Sequence, residues 1–107
     1  MEAEMYMRII WGRIRPGQWE RYEAAYKEIF LANQPAIDGL EGRWLVRDVN
    51  DPDAGYSVSL WKTAEAMQAY EAGEFFRTVV RPALQPYFVD DFTTARCEVR
   101  VIEDFGA

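Results

Sequence analysis

Four segments rich in β-branched and aromatic residues and two amphipathic helical segments follow one another as strand, helix, strand, strand, helix, strand. That order predicts an α+β fold of the split βαβ, ferredoxin-like kind: an antiparallel four-stranded sheet with two helices on one face. Three observations carry the prediction. The hydrophobic period switches between alternation and helical spacing, turn residues cluster at the switches, and 107 residues suit a single domain spanning 1–107.

The first strand reads from Tyr6 to Ile14, with Ile9, Ile10 and Trp11 between, and Pro16-Gly17 ends it. Trp19, Tyr22, Tyr26, Ile29, Phe30 and Asn33 then step by three and four, with Glu20, Arg21, Glu23, Lys27 and Glu28 between them. This is an amphipathic helix that should stop at Pro35. A turn at Ile37-Asp38-Gly39-Leu40 leads to a strand over Gly42–Val49, where Trp44 and Val46 alternate with Leu45 and Arg47. Asn50-Asp51-Pro52-Asp53-Ala54-Gly55 is dense in turn formers, so Tyr56–Trp61 returns as the second arm of a hairpin.

Thr63 is placed to cap the second helix, and Glu65 in its first turn suits the helix dipole. Met67, Tyr70, Phe75, Phe76, Val79 and Val80 supply the apolar face. Gly73 should interrupt the helix, because glycine costs about 1 kcal/mol relative to alanine in a helix interior. Pro82 and Pro86 bracket a break or restart. The last strand reads from about Thr94 to Ile102, with Cys97, Val99 and Val101 alternating against Arg96, Glu98 and Arg100. Two layers leave one sheet face bare, and its mixed apolar character predicts pairing with a second copy as a homodimer.

The chain has no histidine but four tryptophans, six tyrosines and six phenylalanines. Histidine is the usual general base near neutral pH and a common metal ligand. Its absence removes Ser-His-Asp and Cys-His chemistry, a proximal haem histidine and most zinc sites. The net charge of −6 disfavours nucleic acid and anionic membrane as partners, since both need a basic footprint. The single Cys97 cannot form an internal disulfide and reads as a buried structural thiol. With no secretory signal at Met1–Met7 and no long apolar run, a cytoplasmic setting is expected.

The aromatic residues point to a cleft between sheet and helices, walled by some of Trp11, Trp44, Trp61, Tyr26, Tyr70 and Phe76, that holds a flat apolar small molecule. Trp19, on a helix's apolar face, reads as core. Arg81 precedes Pro82, a position where proline disfavours helical geometry, so its side chain reads as free of an ordinary helix face and able to hold a developing oxyanion or enolate. Asp48, Asp51, Asp53, Asp90 and Asp91 lie in turns, where aspartate ordinarily bonds the local backbone rather than a metal.

The stretch Ser59-Leu60-Trp61-Lys62-Thr63-Ala64-Glu65-Ala66-Met67-Gln68-Ala69-Tyr70, followed by Phe75-Phe76-Arg77, resembles the antibiotic biosynthesis monooxygenase (ABM) family. Arg15-Pro16-Gly17 and the turn at Ile37–Leu40 resemble the same family's first junction and second-strand start. The resemblance implies a dimeric α+β barrel with a ligand cleft in each subunit. It also implies two comparisons of activity. Haem-degrading members use a first-strand asparagine with a tryptophan and a histidine on the second helix. Those helix positions fall on Tyr70 and Val80, and the first strand offers Ile10 or Trp11, so haem degradation is not expected.

Quinone-forming members oxidise anthrone-like phenols with oxygen and no cofactor, and the residues associated with that activity fall on Trp61, Ser57, Met67 and Arg81. Tryptophan and arginine match; the asparagine and tyrosine do not. The expectation is a cofactor-independent monooxygenase for an electron-rich aromatic or polyketide-like molecule. Arg81 would hold the anion, Trp61 orient the rings and Ser57 relay a proton. Trp11, Tyr26, Trp44, Met67, Tyr70 and Phe76 would bind substrate. The alternative is a dimeric, non-enzymatic binding domain for an apolar metabolite. Haem binding without turnover is a third reading and would need a tyrosine or Cys97 as the iron ligand.

Overall fold

Alternation in the first segment becomes strand β1, Tyr6–Arg13, in a computed structural model that describes residues 5–32 and 37–103. Helix α1 spans Trp19–Lys27 and widens into a π-helical turn over Glu28–Ala32. The expected helix position Asn33 and the stop at Pro35 lie outside the described residues. β2 (Leu40–Arg47) and β3 (Ala54–Trp61) form the hairpin. The aspartates of its turn do bond the local backbone: Asp48 Oδ1 accepts from Asn50 N–H at 2.8 Å and Asp51 Oδ1 from Asp53 N–H at 3.1 Å.

Helix α2, Ala64–Ala72, starts as its sequence signal requires. The Thr63 side chain accepts from the Ala66 N–H at 3.0 Å, which satisfies one of the orphan donors of the first turn. Gly73 ends the helix in extended backbone. The chain resumes as a π-helical turn at Phe76–Val80, a short helix α3 at Arg81–Leu84 and a 3-10 turn at Gln85–Tyr87. Pro82 accounts for the wide turn. It has no N–H to offer the Thr78 carbonyl and its ring would crowd that carbonyl in an ordinary helix. Arg81 itself stays helical at φ −62, ψ −49. The expected departure from helix geometry at Arg81 is therefore displaced into the preceding turn.

β4 runs over Thr93–Glu98 and completes an antiparallel sheet of order β2-β3-β1-β4. This is the ferredoxin-like α+β fold that the element order predicts. The last strand is shorter than expected: regular strand stops at Glu98, and Val99 N–H adds a single bond to the Met5 carbonyl at 3.0 Å. No helix among the described residues is long and apolar enough to cross a membrane.

Register decides which side chains meet the helices. Arg8 pairs with Ser59, Ile10 with Ser57 and Gly12 with Gly55, while Arg43 pairs with Ser59 and Leu45 with Ser57. Partners in an antiparallel pair share a face, so these residues form the helix-covered side. Trp61, Ile14, Trp19, Tyr22, Tyr26, Met67 and Tyr70 pack the core there. Tyr22 is its hub, edge-on to Trp19 at 5.4 Å and to Phe88 at 5.6 Å between ring centroids. Gly12 permits that packing, since a Cβ there would strike the Phe88 ring.

The opposite face stays open. It carries Trp11 opposite Tyr56 and Trp44 opposite Val58, with Trp44, Val46 and Tyr56 all well exposed. Cys97 pairs with Met7 on that face of the outer strand and is exposed rather than buried. Alternation in β4 separates its two faces but does not say which one the helices cover.

Candidate active site

A cleft opens between the sheet and the helical layer. Its floor is Arg8 and Ile10 of β1, Ser57 of β3 and Arg43 of β2. Its walls are Tyr22, Tyr26 and Phe30 on one side and Tyr70, Phe76 and Val80 on the other; Leu84, Phe88 and Phe92 complete the lining, with the exposed Arg81 at the mouth. The two π-helical turns matter here, because they carry Phe30, Phe76 and Val80. Wide turns of this kind recur at functional sites. The free space is about 50 Å3, room for a few waters but well below the ~300–1,000 Å3 of a typical ligand pocket.

The polar groups are few and specific. Tyr26 Oη and Ser57 Oγ share a hydrogen bond of 2.7 Å. The Arg43 guanidinium carbon lies 3.9 Å from the Phe30 ring centroid and 5.6 Å from that of Tyr70. Arg8 is 5.0 Å from the Phe76 centroid, and Arg81 is 5.7 Å from that of Phe92. Guanidiniums over aromatic faces are held electrostatically as well as by packing. Among the described residues that line the cleft, three are arginines and none is a carboxylate, although the whole chain carries a charge of −6.

The three arginines differ in their partners. Arg8 is 3% exposed, with Nε 3.0 Å from Glu71 Oε2, and Glu71 also holds Arg96 at 2.6 Å. The Arg8 Nε contact is an ion pair too bent to count as a hydrogen bond. Burial lowers the Arg8 pKa and the Glu71 charge opposes that shift. The Glu71 carboxyl lies below its ordinary pKa: burial would raise it, but the bonds and charges of Arg96 and Arg8 together outweigh that. Arg43 Nη2, by contrast, is buried with no hydrogen-bond partner among the described residues. Burial pushes the Tyr22 and Tyr70 phenols up from their ordinary pKa, with Arg43 and Arg8 opposing the shift at Tyr70. Both phenols therefore stay neutral near pH 7 and are not bases there.

Glu71→Ala should cost about 3 kcal/mol, because it leaves Arg8 buried without its counter-charge. A depressed folded-state pKa contributes stability above the unfolded value near 4.3 that is lost as pH falls through the folded value. Denaturant titrations of the variant between pH 7 and 3 should accordingly show a smaller loss of stability on acidification than the parent shows.

Of the residues expected from sequence, the structure brings Ser57, Tyr26, Tyr70, Phe76 and Arg81 to one cleft. It does not bring the others there. Trp61 is wholly buried and stands behind Tyr70, 5.1 Å between centroids, with its Nε1–H donated to Ser59 Oγ at 2.8 Å. Met67 is buried core. Trp11 and Trp44 lie on the open face, because their strand positions have the wrong parity. Arg8 and Arg43 were not expected. Their signal was a charged residue at an even step from Ile10 in β1, and from Leu45 in β2, on the face where Ser57 and Ser59 leave room.

The sequence profile of the family described as "Antibiotic biosynthesis monooxygenase" matches residues 5–82. No curated protein matches the chain in sequence. Among solved structures, a Bordetella bronchiseptica protein provisionally described as an antibiotic biosynthesis monooxygenase superposes with a TM-score of 0.79 at 20% identity, covering 94% of this chain and 100% of that one. A Caulobacter crescentus protein of the same description gives 0.78 at 11% identity over 92% of each chain. A mutant of SnoaB, a cofactor-independent oxygenase from Streptomyces nogalater, gives 0.74 at 16% identity over 94% of this chain and 97% of that one. At such identities the structural likeness establishes the fold.

Proposed function

The chain belongs to the antibiotic biosynthesis monooxygenase family, and from that premise we propose that it is a cofactor-independent monooxygenase for an electron-rich aromatic or polyketide-like small molecule. The observation that carries the reading is the cleft wall itself: aromatic rings and three guanidiniums, of which Arg8 is paired with Glu71 while Arg43 and Arg81 have no carboxylate partner among the described residues that line the cleft. Such a wall favours an aromatic guest in its anionic form over the neutral form. It would lower the acidity barrier of a phenol or anthrone without needing a strong protein base.

The reaction balances with oxygen alone. The substrate's activated CH2 loses a proton and its carbanion is stabilised as an enolate beside Arg81. The enolate passes one electron to O2, and the two radicals join through a new C–O bond as a hydroperoxide. The hydroperoxide takes up a proton, and loss of water with the remaining C–H proton leaves a ketone. One CH2 and one O2 thus give one C=O and one H2O. Ser57 and Tyr26 would relay the proton, a role supported by their hydrogen bond of 2.7 Å. Tyr70 and Phe76 replace Trp61 as the ring platform, and Trp61 holds Tyr70 from behind. Admission of a three-ring guest requires the mouth around Arg81 and Phe92 to open.

Oxygen uptake with a panel of anthrones and hydroquinones tests the reading. Consumption above the rate of spontaneous oxidation supports it. Binding with no oxygen consumed sinks it and leaves the binding-domain alternative.

The open sheet face, with Trp11, Trp44, Val46, Tyr56 and Val58, supplies an apolar surface suited to a two-fold dimer. In the reducing cytoplasm proposed as its setting, Cys97 on that face would remain a free thiol. Trp44→Asp should convert the dimer to a monomer in sedimentation velocity. A parent that sediments as a monomer at tens of micromolar would contradict the assembly.

A further inference from the structure

Arg43 contributes to the positive wall of the cleft, but the proposed oxidation gives it no step of its own. It rises from the edge strand β2, across the sheet from β4, borders a second, more open groove with Glu23, Lys27 and Leu31, and shares the helix-covered face with Ser57 and Ser59. The planes of Phe30 and Tyr70 hold its guanidinium at 3.9 and 5.6 Å. Among the described residues no carboxylate pairs with it, and its Nη2 is buried with no hydrogen-bond partner. A buried guanidinium N–H left unpaired is costly, and this one lies on the cleft side of a residue that is otherwise half-buried.

Arg8 lines the same floor, but Glu71 neutralises it. Arg43 therefore carries the uncompensated charge on that floor.

We propose that Arg43 is an anion subsite, and that the cleft takes aromatic molecules bearing a carboxylate remote from the carbon to be oxidised. The proposal rests on the use of the cleft set out above and narrows it to aromatic acids. The carboxylate accepts from the Nη2 that now lacks a partner, the rings lie between Tyr26, Tyr70 and Phe76, and the reacting carbon faces Arg81. Anchoring the acid at one end fixes which ring position reaches the arginine at the other. Charge-assisted hydrogen bonds to guanidinium are about twice as strong as neutral ones, so the subsite selects acids over neutral analogues of the same shape.

Binding of 9-anthracenecarboxylate and 9-anthracenemethanol, compared by calorimetry in the absence of turnover, tests this. The two probes share their rings and differ in charge. The wild-type protein should bind the acid about tenfold or more tightly than the alcohol. Arg43→Gln should bring the two affinities within about twofold while keeping the alcohol affinity, which certifies the fold of the variant. Arg43→Lys should restore part of the preference, and Arg81→Gln should retain most of it. Equal binding of acid and alcohol by the wild type, or a preference that survives Arg43→Gln, overturns the anion subsite. That outcome leaves the oxygenase reading standing, because it involves no oxygen. Failure of both probes to bind overturns the cleft and both readings together. Acid selection without any oxygen uptake would keep the subsite and remove the oxygenase.

Discussion

On the proposed reading, Arg81→Gln should lower kcat for an anthrone substrate by about 100- to 1,000-fold while KM changes by only a few-fold. The split follows from where charge develops. A ground-state anthrone is neutral, so a cation at the mouth adds little to its binding. The enolate is negative, and in the proposed complex the guanidinium would face it once the guest has displaced water from the cleft. Arg81 is exposed in the free protein, so its strength depends on that displacement. For the same reason, smaller hydroquinones that leave water beside it should show the lower end of the range. Steady-state oxygen uptake by parent and variant, with substrate varied, separates the two parameters. A variant with unchanged kcat would remove the anion role.

Trp61→Ala destabilises the fold by about 3–5 kcal/mol, the cost of deleting a large buried aromatic side chain. In a domain of this size that lowers Tm by roughly 15 °C or more. Trp61 is wholly buried, touches Tyr70 and ties its indole N–H to Ser59, so the loss combines packing with an orphaned hydroxyl. Trp61→Phe keeps the ring against Tyr70 and should retain kcat within a few-fold at a temperature where it is folded. That pair of variants distinguishes a buttress from a substrate contact. Thermal denaturation and turnover of Trp61→Phe measure both, and a large kcat loss in the folded variant would place Trp61 against the guest after all.

The fold was legible because periodicity reports element type directly. Alternation in Tyr6–Ile14, helical steps from Trp19 and the Asp-Pro-Asp turn each depend on local geometry alone. The cleft was less legible because a strand's two faces look alike until its partners are known. Trp11 and Trp44 are large aromatics in strands, which suits a cleft wall, yet pairing with Tyr56 and Val58 sends them to the open side. Cys97 was misplaced for the same reason, by sharing a face with Met7. Arg8 and Arg43 are hard to read from sequence because a charge inside an apolar strand resembles surface decoration. Only their register with Ser59 turns them inward.

The rule that proline disfavours a helical predecessor failed, since Arg81 is helical. The π-helical turn before it absorbs the mismatch and directs Phe76 and Val80 into the cleft. Proline shaped the site through its missing N–H, not through the conformation of its neighbour. Thr63 and Gly73, whose effects are confined to one turn, behaved as their chemistry requires.

Isotope incorporation from 18O2 tests the central claim most directly. The protein, dialysed against chelator and shown by absorbance to carry no flavin or haem, is given 1,8-dihydroxyanthrone under labelled oxygen. The account predicts a quinone product with one labelled oxygen atom, formed faster than in buffer and slowed in Arg81→Gln. Formation at the buffer rate, or a rate that appears only on adding a metal or flavin, would contradict it.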